Sequence, residues 1–476
     1  MTAAAAATIF GLCVLTYAGA AKAGTISPEL ERSMARRGTH ADTAVIVRLT
    51  NALDMEPFAV SDRRLRDSRL LSALKARASL NRAALNPMLV SLGAEHIKDL
   101  WIVNALAVTV PAVEVKVLAG HPNVDRIEPD TFVQSGRSQR TPRSRSEPAS
   151  RTAVAVAPVF PAVVAQALPL TPVDSAKVGW NIKNVRAPDV WGLGHTGKGV
   201  TVATMDTGVD MSHPDLANKW RGGNGGWFDP HGEEASPYDA SGHGTQAMGV
   251  MVGGAEIAVA PNANWIAVRM YNAEGRTSMS DIHRAFQWLL DPDGDVSTQD
   301  APDVVNASWA LTGRAVGACV NEFEQDIRAL KAAGIVVVFA AGNDGPSPST
   351  SNSPGNNASV ISVGAMDQSN AIARHTSRGP SGCTGAPFPA LLAPGVNVRT
   401  ADISYGGHAS YTMVSGSSMA APHVAGVLAL LAGAYPSASV AELETALLTG
   451  AKQGTGGDYP RLDALAAFNA LSAIKR

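Results

Sequence analysis

Hydrophobic and polar positions follow three successive regimes along the chain. Residues 3–20 form an uninterrupted Ala-rich apolar run without charge. The run is short for a bilayer span. It is followed by Ala21-Lys22-Ala23, a small-residue cleavage pattern, so residues 1–23 read as a signal peptide cut after Ala23. No Lys or Arg precedes the run, and bulky Leu12 before Cys13 argues against lipid attachment. No other segment reads as long and apolar enough to cross a membrane.

The second regime, residues 43–133, mixes two periods. Thr43–Leu49 is strand-like. Ser61 can cap a helix with Asp62 in its first turn. Leu71, Leu74, Ala78, Leu85, Leu89 and Leu92 then repeat at helical spacing, and Gly93 follows as a stop. Pro87 is expected to kink or divide that helix. Ile102, Asn104, Leu106, Val108 and Val110 alternate as a strand does. A short helix near 112–119 and a strand near 124–133 complete a β-α-β-α-β pattern with room for one split strand.

The third regime starts near Trp180. Short apolar runs at Val200–Met205, Trp265–Met270, Val304–Ser308, Ile335–Ala341 and Val360–Ala365 alternate with helical patterns. These fall at Asp281–Leu290, Glu322–Ala333, Ser418–Ala434 and Val440–Leu448. Such alternation predicts an α/β domain, a mostly parallel sheet with helices on both faces. Its chemistry belongs at the C-terminal ends of the strands. Between the two regimes, residues 135–152 carry Arg137, Arg140, Arg143, Arg145 and Arg151 among serines and prolines, and 153–172 are Ala/Val/Pro-rich. With no aromatics there, a solvated, protease-sensitive linker is a better reading than a nucleic-acid arm.

Composition sharpens this picture in two ways. With 45% hydrophobic and 17% charged residues, 476 residues can bury a sizeable core. A formal net charge of −2 argues against a general nucleic-acid binder. Cutting after Ala23 leaves Cys319 and Cys383, which could pair in an oxidising compartment or remain two buried thiols.

Four residues carry candidate chemistry. Asp206 ends an apolar strand within Asp206-Thr207-Gly208, where a carboxylate can face a site; alone, a turn-forming Asp is the plainer reading. His243 sits between Gly242 and Gly244, and a His can move a proton near neutral pH; alone, a loop His is more often incidental. Ser418 opens an Ala-rich helix in Gly416-Ser417-Ser418-Met419-Ala420-Ala421-Pro422. Backbone N–H groups and the positive dipole end favour an oxyanion there, although Ser415, Ser417 or Ser418 could simply cap. Pro422 is expected near the first turn, where no N–H bond is lost. Asn343, in Gly342-Asn343-Asp344-Gly345, could donate a second oxyanion hydrogen bond or form a plain turn.

The order Asp, His, Asn, Ser and the local strings together resemble the subtilase family of serine proteases over roughly residues 180–470. Ala301–Trp309, Ala393–Arg399 and Pro261–Val268 are similar to its bacillopeptidase F branch. The resemblance implies a secreted serine endopeptidase with Asp206, His243 and Ser418 as triad and Asn343 in the oxyanion hole. It implies substrate-lining roles for Ser308, Trp309, Ala310, Ala340, Ala341 and Gly342. It also implies a domain order of signal peptide (1–23), α+β propeptide (24–134), linker (135–179) and peptidase domain (180–476). The propeptide would inhibit the enzyme and be removed by it. The expected partners are protein or peptide substrates and the propeptide itself, with no nucleic acid, no stable membrane insertion and a monomeric state.

Three departures from the family pattern stand out. Ser417 replaces the usual Thr, Gln246 replaces a second His, and Ala310-Leu311 stand where Gly-Gly is common. The last is expected to alter the specificity pocket. No cofactor is expected. The short Val252–Pro261 segment lacks the Asn-rich loop of many calcium sites. Asp291, Asp293 and Asp295 could supply oxygen ligands but do not fit an EF-hand; a solvated acidic loop is expected there, with structural calcium as the alternative. Two rival functions remain at this level, a catalytically dead binding module and an esterase using the same triad.

Overall fold

A computed structural model describes residues 23–38, 40–59, 68–135, 177–311, 316–405, 407–452 and 459–476. The apolar run of the signal peptide, the Ser61 cap and the Arg-rich linker lie outside these residues. The contacts divide the chain into two units. One comprises the described residues up to Asn51 with Ser79–Asp99 and Ala105–Pro129, the other Ala52–Ala78, Leu100–Asn104 and Asp130–Arg476.

The smaller unit is a five-stranded sheet with helices. Its strands are β1 (Thr25–Ile26), β2 (Asp42–Leu49), β3 (Glu95–Leu100), β4 (Ala105–Pro111) and β5 (Val124–Pro129), in the order β1-β5-β2-β4-β3. Helix α1 (Pro28–Arg37) starts where Ser27 Oγ accepts from Leu30 N–H, with Pro28 in its first turn and Arg36 and Arg37 in its last. Helix α2 (Ser68–Ser91) is not divided at Pro87. Leu85 and Leu89, on either side of the proline, are fully buried with Val45, Val108 and Leu118. Burial of two leucines, about 1.5–3 kcal/mol each, offsets the lost helical bond of about 3 kcal/mol. The strand expected from Ile102 is also corrected. Trp101–Val103 form a 3₁₀ turn and Asn104 takes φ 50°, so β4 begins at Ala105. Helix α3 (Val115–Ala119) precedes β5.

The larger unit contains β6 (Phe132–Gln134), α4 (Trp180–Asn184), α5 (Ala187–Gly192), β7 (Thr201–Asp206), α6 (Pro214–Ala217), β8 (Trp227–Phe228), α7 (His243–Val252), β9 (Asn264–Arg269), β10 (Arg276–Ser278), α8 (Met279–Leu290) and β11 (Val304–Ala307). It continues with α9 (Glu324–Ala332), β12 (Val336–Ala340), β13 (Ile361–Met366), β14 (Gly379–Pro380), β15 (Pro387–Phe388), β16 (Leu391–Pro394), β17 (Val398–Tyr405), β18 (His408–Val414), α10 (Ser417–Ala434), α11 (Val440–Gly450) and α12 (Ala464–Ile474). Seven strands form one parallel sheet in the order β16-β13-β12-β11-β7-β9-β8.

Alternation along β12 separates the two faces of that sheet. Val336, Val338 and Ala340 pack with Val424, Leu428 and Leu431 of α10. Phe339 points the other way, edge-on to Trp309, which meets Phe323 at the start of α9. Both faces are covered, so the strands are continuous apolar runs rather than alternating ones. Helix α10 is long and apolar enough to span a membrane, contrary to the sequence expectation for segments after residue 20. Almost all of its residues are buried as the central helix of this unit. Cys319 and Cys383 form a disulfide with Cα atoms 4.6 Å apart.

Candidate active site

Strand β7 delivers Asp206 to the C-terminal edge of the parallel sheet. Asp206 Oδ1 accepts from the Thr207 N–H and from His243 Nδ1, both at 2.7 Å. Asp206 Oδ2 is buried and has no hydrogen-bond partner among the described residues. Helix α7 can begin this close to β7 because two positions lack side chains. A Cβ on Gly208, whose φ is 111°, would lie 1.9 Å from the Tyr238 carbonyl oxygen, and one on Gly244 2.1 Å from the Gly208 carbonyl oxygen.

Asp239, which the sequence reading missed, organises the loop that carries the imidazole. Its Oδ1 accepts from Thr207 Oγ1 and the N–H groups of Ser241 and Gly242, and its Oδ2 from the N–H and Oγ1 of Thr245. Burial pushes the Asp239 carboxyl up, against these bonds, which favour its charged form. For His243, burial opposes the charged ring. The Asp206 charge and hydrogen bond, with Asp239 beyond, outweigh that effect and raise its pKa above the usual imidazole value.

Ser418 is the second residue of α10, whose first-turn N–H groups have no helical acceptors. Its hydroxyl donates to the Ser308 carbonyl at 3.4 Å and not to His243, so engagement of the imidazole requires a side-chain rotation. Pro422 lies in the second turn of α10, not near the first as expected, and it removes the N–H that would bond to the Ser418 carbonyl. Ser308 Oγ supplies that missing donor at 2.9 Å. Ser308 in turn accepts from Asn306 Nδ2 at 3.0 Å. Neither Ser415 nor Ser417 caps the helix in the ordinary way, and the N-cap is Gly416. Instead Asn343 Oδ1 accepts from the Ser417 N–H at 2.9 Å and from Ser417 Oγ at 3.0 Å. Ser417 Oγ also accepts from the Gly342 N–H. This fixes the Asn343 amide plane and leaves Nδ2 without a hydrogen-bond partner among the described residues.

These groups open on a cleft of about 600 Å³, lined by Asp206, His243, Asn343 and Ser418 with Ser308, Trp309, Ala310, Ala340 and Gly342. Ala341 does not line it. That residue is fully buried and its N–H bonds to the Val363 carbonyl, because alternate strand positions face inward. Gln246 also lines the cleft and donates to Asp402 Oδ1 at 3.3 Å. Strand β6 runs antiparallel to β10, and Ser135 just beyond it reaches the cleft.

The acidic loop differs in detail from expectation. Asp291, Asp293 and Asp300 gather their carboxylates within 4.8 Å, whereas Asp295 turns to Ser297. Lys75 pairs with Asp291, so an ammonium already meets this cluster.

A family model described as the subtilase family matches residues 197–465. Bacillopeptidase F of Bacillus subtilis (strain 168) is 37% identical over 62% of this chain and 22% of its own length. Serine protease AprX of the same organism is 35% identical, covering 59% of this chain and 67% of that protein. Subtilisin BL of Lederbergia lenta is 34% identical, covering 57% and 90%. The chain thus spans about a fifth of bacillopeptidase F and nine-tenths of subtilisin BL.

Proposed function

The chain belongs to the subtilase family of serine-type endopeptidases, and on that premise we propose that it is a secreted enzyme that cuts proteins through Asp206, His243 and Ser418. The arrangement that carries this reading is the 2.7 Å bond from His243 Nδ1 to buried Asp206, in one cleft with Ser418 and Asn343. A carboxylate can only accept, so Nδ1 carries the proton and Nε2 is the basic nitrogen. After the Ser418 side chain rotates, Nε2 takes its proton as Oγ attacks a peptide carbonyl carbon. The carbonyl oxygen becomes an oxyanion held by Asn343 Nδ2 and the Ser418 N–H. Collapse breaks the C–N bond, and the imidazolium returns its proton to the leaving amine. Water then attacks the acyl-Ser418 ester, giving a proton to His243; as the ester C–O bond breaks, His243 returns that proton to Ser418 Oγ and the carboxylic acid leaves.

The same reading extends to self-processing. The strand Phe132–Gln134 pairs with Ser278–Arg276, the Met279 N–H donates to the Thr131 carbonyl, and the Ser135 N–H donates to the Gly275 carbonyl. The chain entering the cleft at Ser135 is therefore held as an extended strand, the geometry of a peptide about to be cut. We place the residues before it in a propeptide and the precursor in a secretory route. The test is a serine-directed phosphonylating reagent added to purified protein while hydrolysis of an unfolded protein is followed. Activity should stop as one adduct forms on Ser418. An adduct elsewhere, or hydrolysis that survives full modification of Ser418, refutes the assignment.

A further inference from the structure

The loop between α8 and β11 gathers acids that the mechanism does not use. Asp291, Asp293 and Asp300 each bring a carboxylate oxygen within 4.8 Å of the others. One ion with metal–oxygen distances of about 2.4 Å can touch all three. Asp291 is buried, and its Oδ1 has no hydrogen-bond partner among the described residues. A buried carboxylate oxygen without a donor is costly unless a cation meets it. The chain brings one such cation. Lys75 of α2 pairs with Asp291 Oδ2, and its Nζ lies 3.5 Å from the Gly294 carbonyl oxygen and 5.5 Å from the centre of the Trp101 ring. The loop itself is folded around its acids. Asp300 Oδ2 accepts from the Asp293 N–H at 2.7 Å, and Asp293 Oδ1 accepts from the Asp295 N–H at 2.8 Å and from Thr298 Oγ1 at 3.1 Å. The neighbouring guanidinium of Arg221 donates to the main-chain carbonyls of Asp300 and Gly225.

We propose that Asp291, Asp293 and Asp300 form a calcium site whose place the Lys75 ammonium holds in the precursor. This rests on the reading above that the residues before Ser135 are a propeptide. Their removal takes the ammonium away and leaves three carboxylates within reach of one ion. The donors are oxygens alone, without His or Cys, which suits a hard cation. Calcium fits better than magnesium because it accepts about six to eight oxygens in flexible geometry, whereas magnesium demands a near-ideal octahedron. One buried and two partly buried carboxylates with a main-chain carbonyl beside them make an irregular set that water can complete. Ion and ammonium compete for Asp291. By linkage, calcium therefore weakens the hold on the Lys75 segment by the same factor by which Lys75 weakens calcium binding.

The test is calorimetric titration of the full Ser418→Ala chain with calcium chloride, intact mass confirming that the residues before Ser135 remain attached. Adding Lys75→Met should lower the calcium Kd about tenfold, and Lys75→Arg should leave it unchanged. Adding Asp293→Asn and Asp300→Asn to the Lys75→Met protein should abolish the binding. A second measurement needs no change at Lys75 and so stands even where Lys75→Met fails to fold. Calcium should speed amide hydrogen exchange around Lys75 in the Ser418→Ala chain, and not in one that also carries Asp293→Asn and Asp300→Asn. Equal calcium affinity with and without Lys75, binding that survives loss of both carboxylates, or magnesium bound as tightly as calcium overturns the proposal. A chain that hydrolyses no protein removes the propeptide reading, while the titrations still decide whether ion and ammonium compete.

Discussion

Replacing Ser308 by Ala should destabilise the fold by about 2–4 kcal/mol, and replacing Pro422 by Ala in the same chain should restore part of that loss. Ser308 Oγ accepts from Asn306 Nδ2 and donates to the Ser418 carbonyl. Asn306 is fully buried, so its orphaned amide accounts for about 1–3 kcal/mol. The Ser418 carbonyl, partly buried, accounts for about 1 kcal/mol more. That carbonyl needs a side-chain donor only because residue 422 has no N–H. In Pro422→Ala the helix supplies its own bond to Ser418, so Ser308→Ala should then cost about 1 kcal/mol less. The Asn306 contribution is the same in both backgrounds and cancels in the cycle. Urea unfolding by tryptophan fluorescence of the four proteins would measure this, each also carrying Ser418→Ala so that none digests itself. Additivity within about 0.3 kcal/mol would refute the claim that Ser308 and Pro422 act on one carbonyl.

Other substitutions probe the chemistry. Asn343→Ala should lower kcat by about 100- to 1000-fold with little change in KM, a magnitude taken from such a donor in a subtilisin; unchanged kcat in folded protein would move the role elsewhere. Ser418→Ala should accumulate as precursor lacking only residues 1–23 while Ser415→Ala matures, and in the wild type the first cut should be independent of protein concentration; intact mass over time checks both. Because catalysis needs neutral His243 and its pKa is raised, kcat/KM should fall on acidification with a midpoint above the ordinary imidazole value of about 6.5; a midpoint at or below it would remove Asp206 as the cause. Burial disfavours the charge on His283, but Asp326 and Glu322 bring its pKa up to about 9. Its stabilisation is therefore complete below about pH 6.5 and lost as pH rises toward 9. The resistance of the Ser418→Ala protein to urea should weaken as pH rises through that window, and the trend should flatten in His283→Gln.

Much of the larger unit was legible because parallel strands buried on both faces are continuous apolar runs, as in Val336–Ala340, with helices of ordinary amphipathic spacing between them. The strings around Asp206, His243 and Ser418 were legible for a different reason. Glycines such as Gly208 and Gly244 are required by close approach, and they mark the sequence around Asp206 and His243. What escaped was contact between distant residues. Asp239 looks like any loop aspartate until Thr207 and Thr245 fold onto it. The part of Ser417 in fixing the Asn343 amide, and that of Ser308 in serving the Ser418 carbonyl, depend on separations of 74 and 110 residues. The break between β3 and β4 was hidden because Ile102 and Asn104 continue an alternating pattern that the left-handed Asn104 interrupts.

Strand β10 has a consequence for what such an enzyme reads in its surroundings. Its edge accepts β6 by main-chain hydrogen bonds, and every amino acid except proline offers those same groups. Under the proposed function, a target strand taken up as Phe132–Gln134 is would have to be laid out flat before any side chain is inspected, and a compact target would present nothing to this edge. The first discrimination would then be mechanical, a sampling of how often a target's chain comes loose. A target's own unfolding equilibrium would set the rate at which it is cut. Side-chain preference would act afterwards, choosing among the bonds that have already come free.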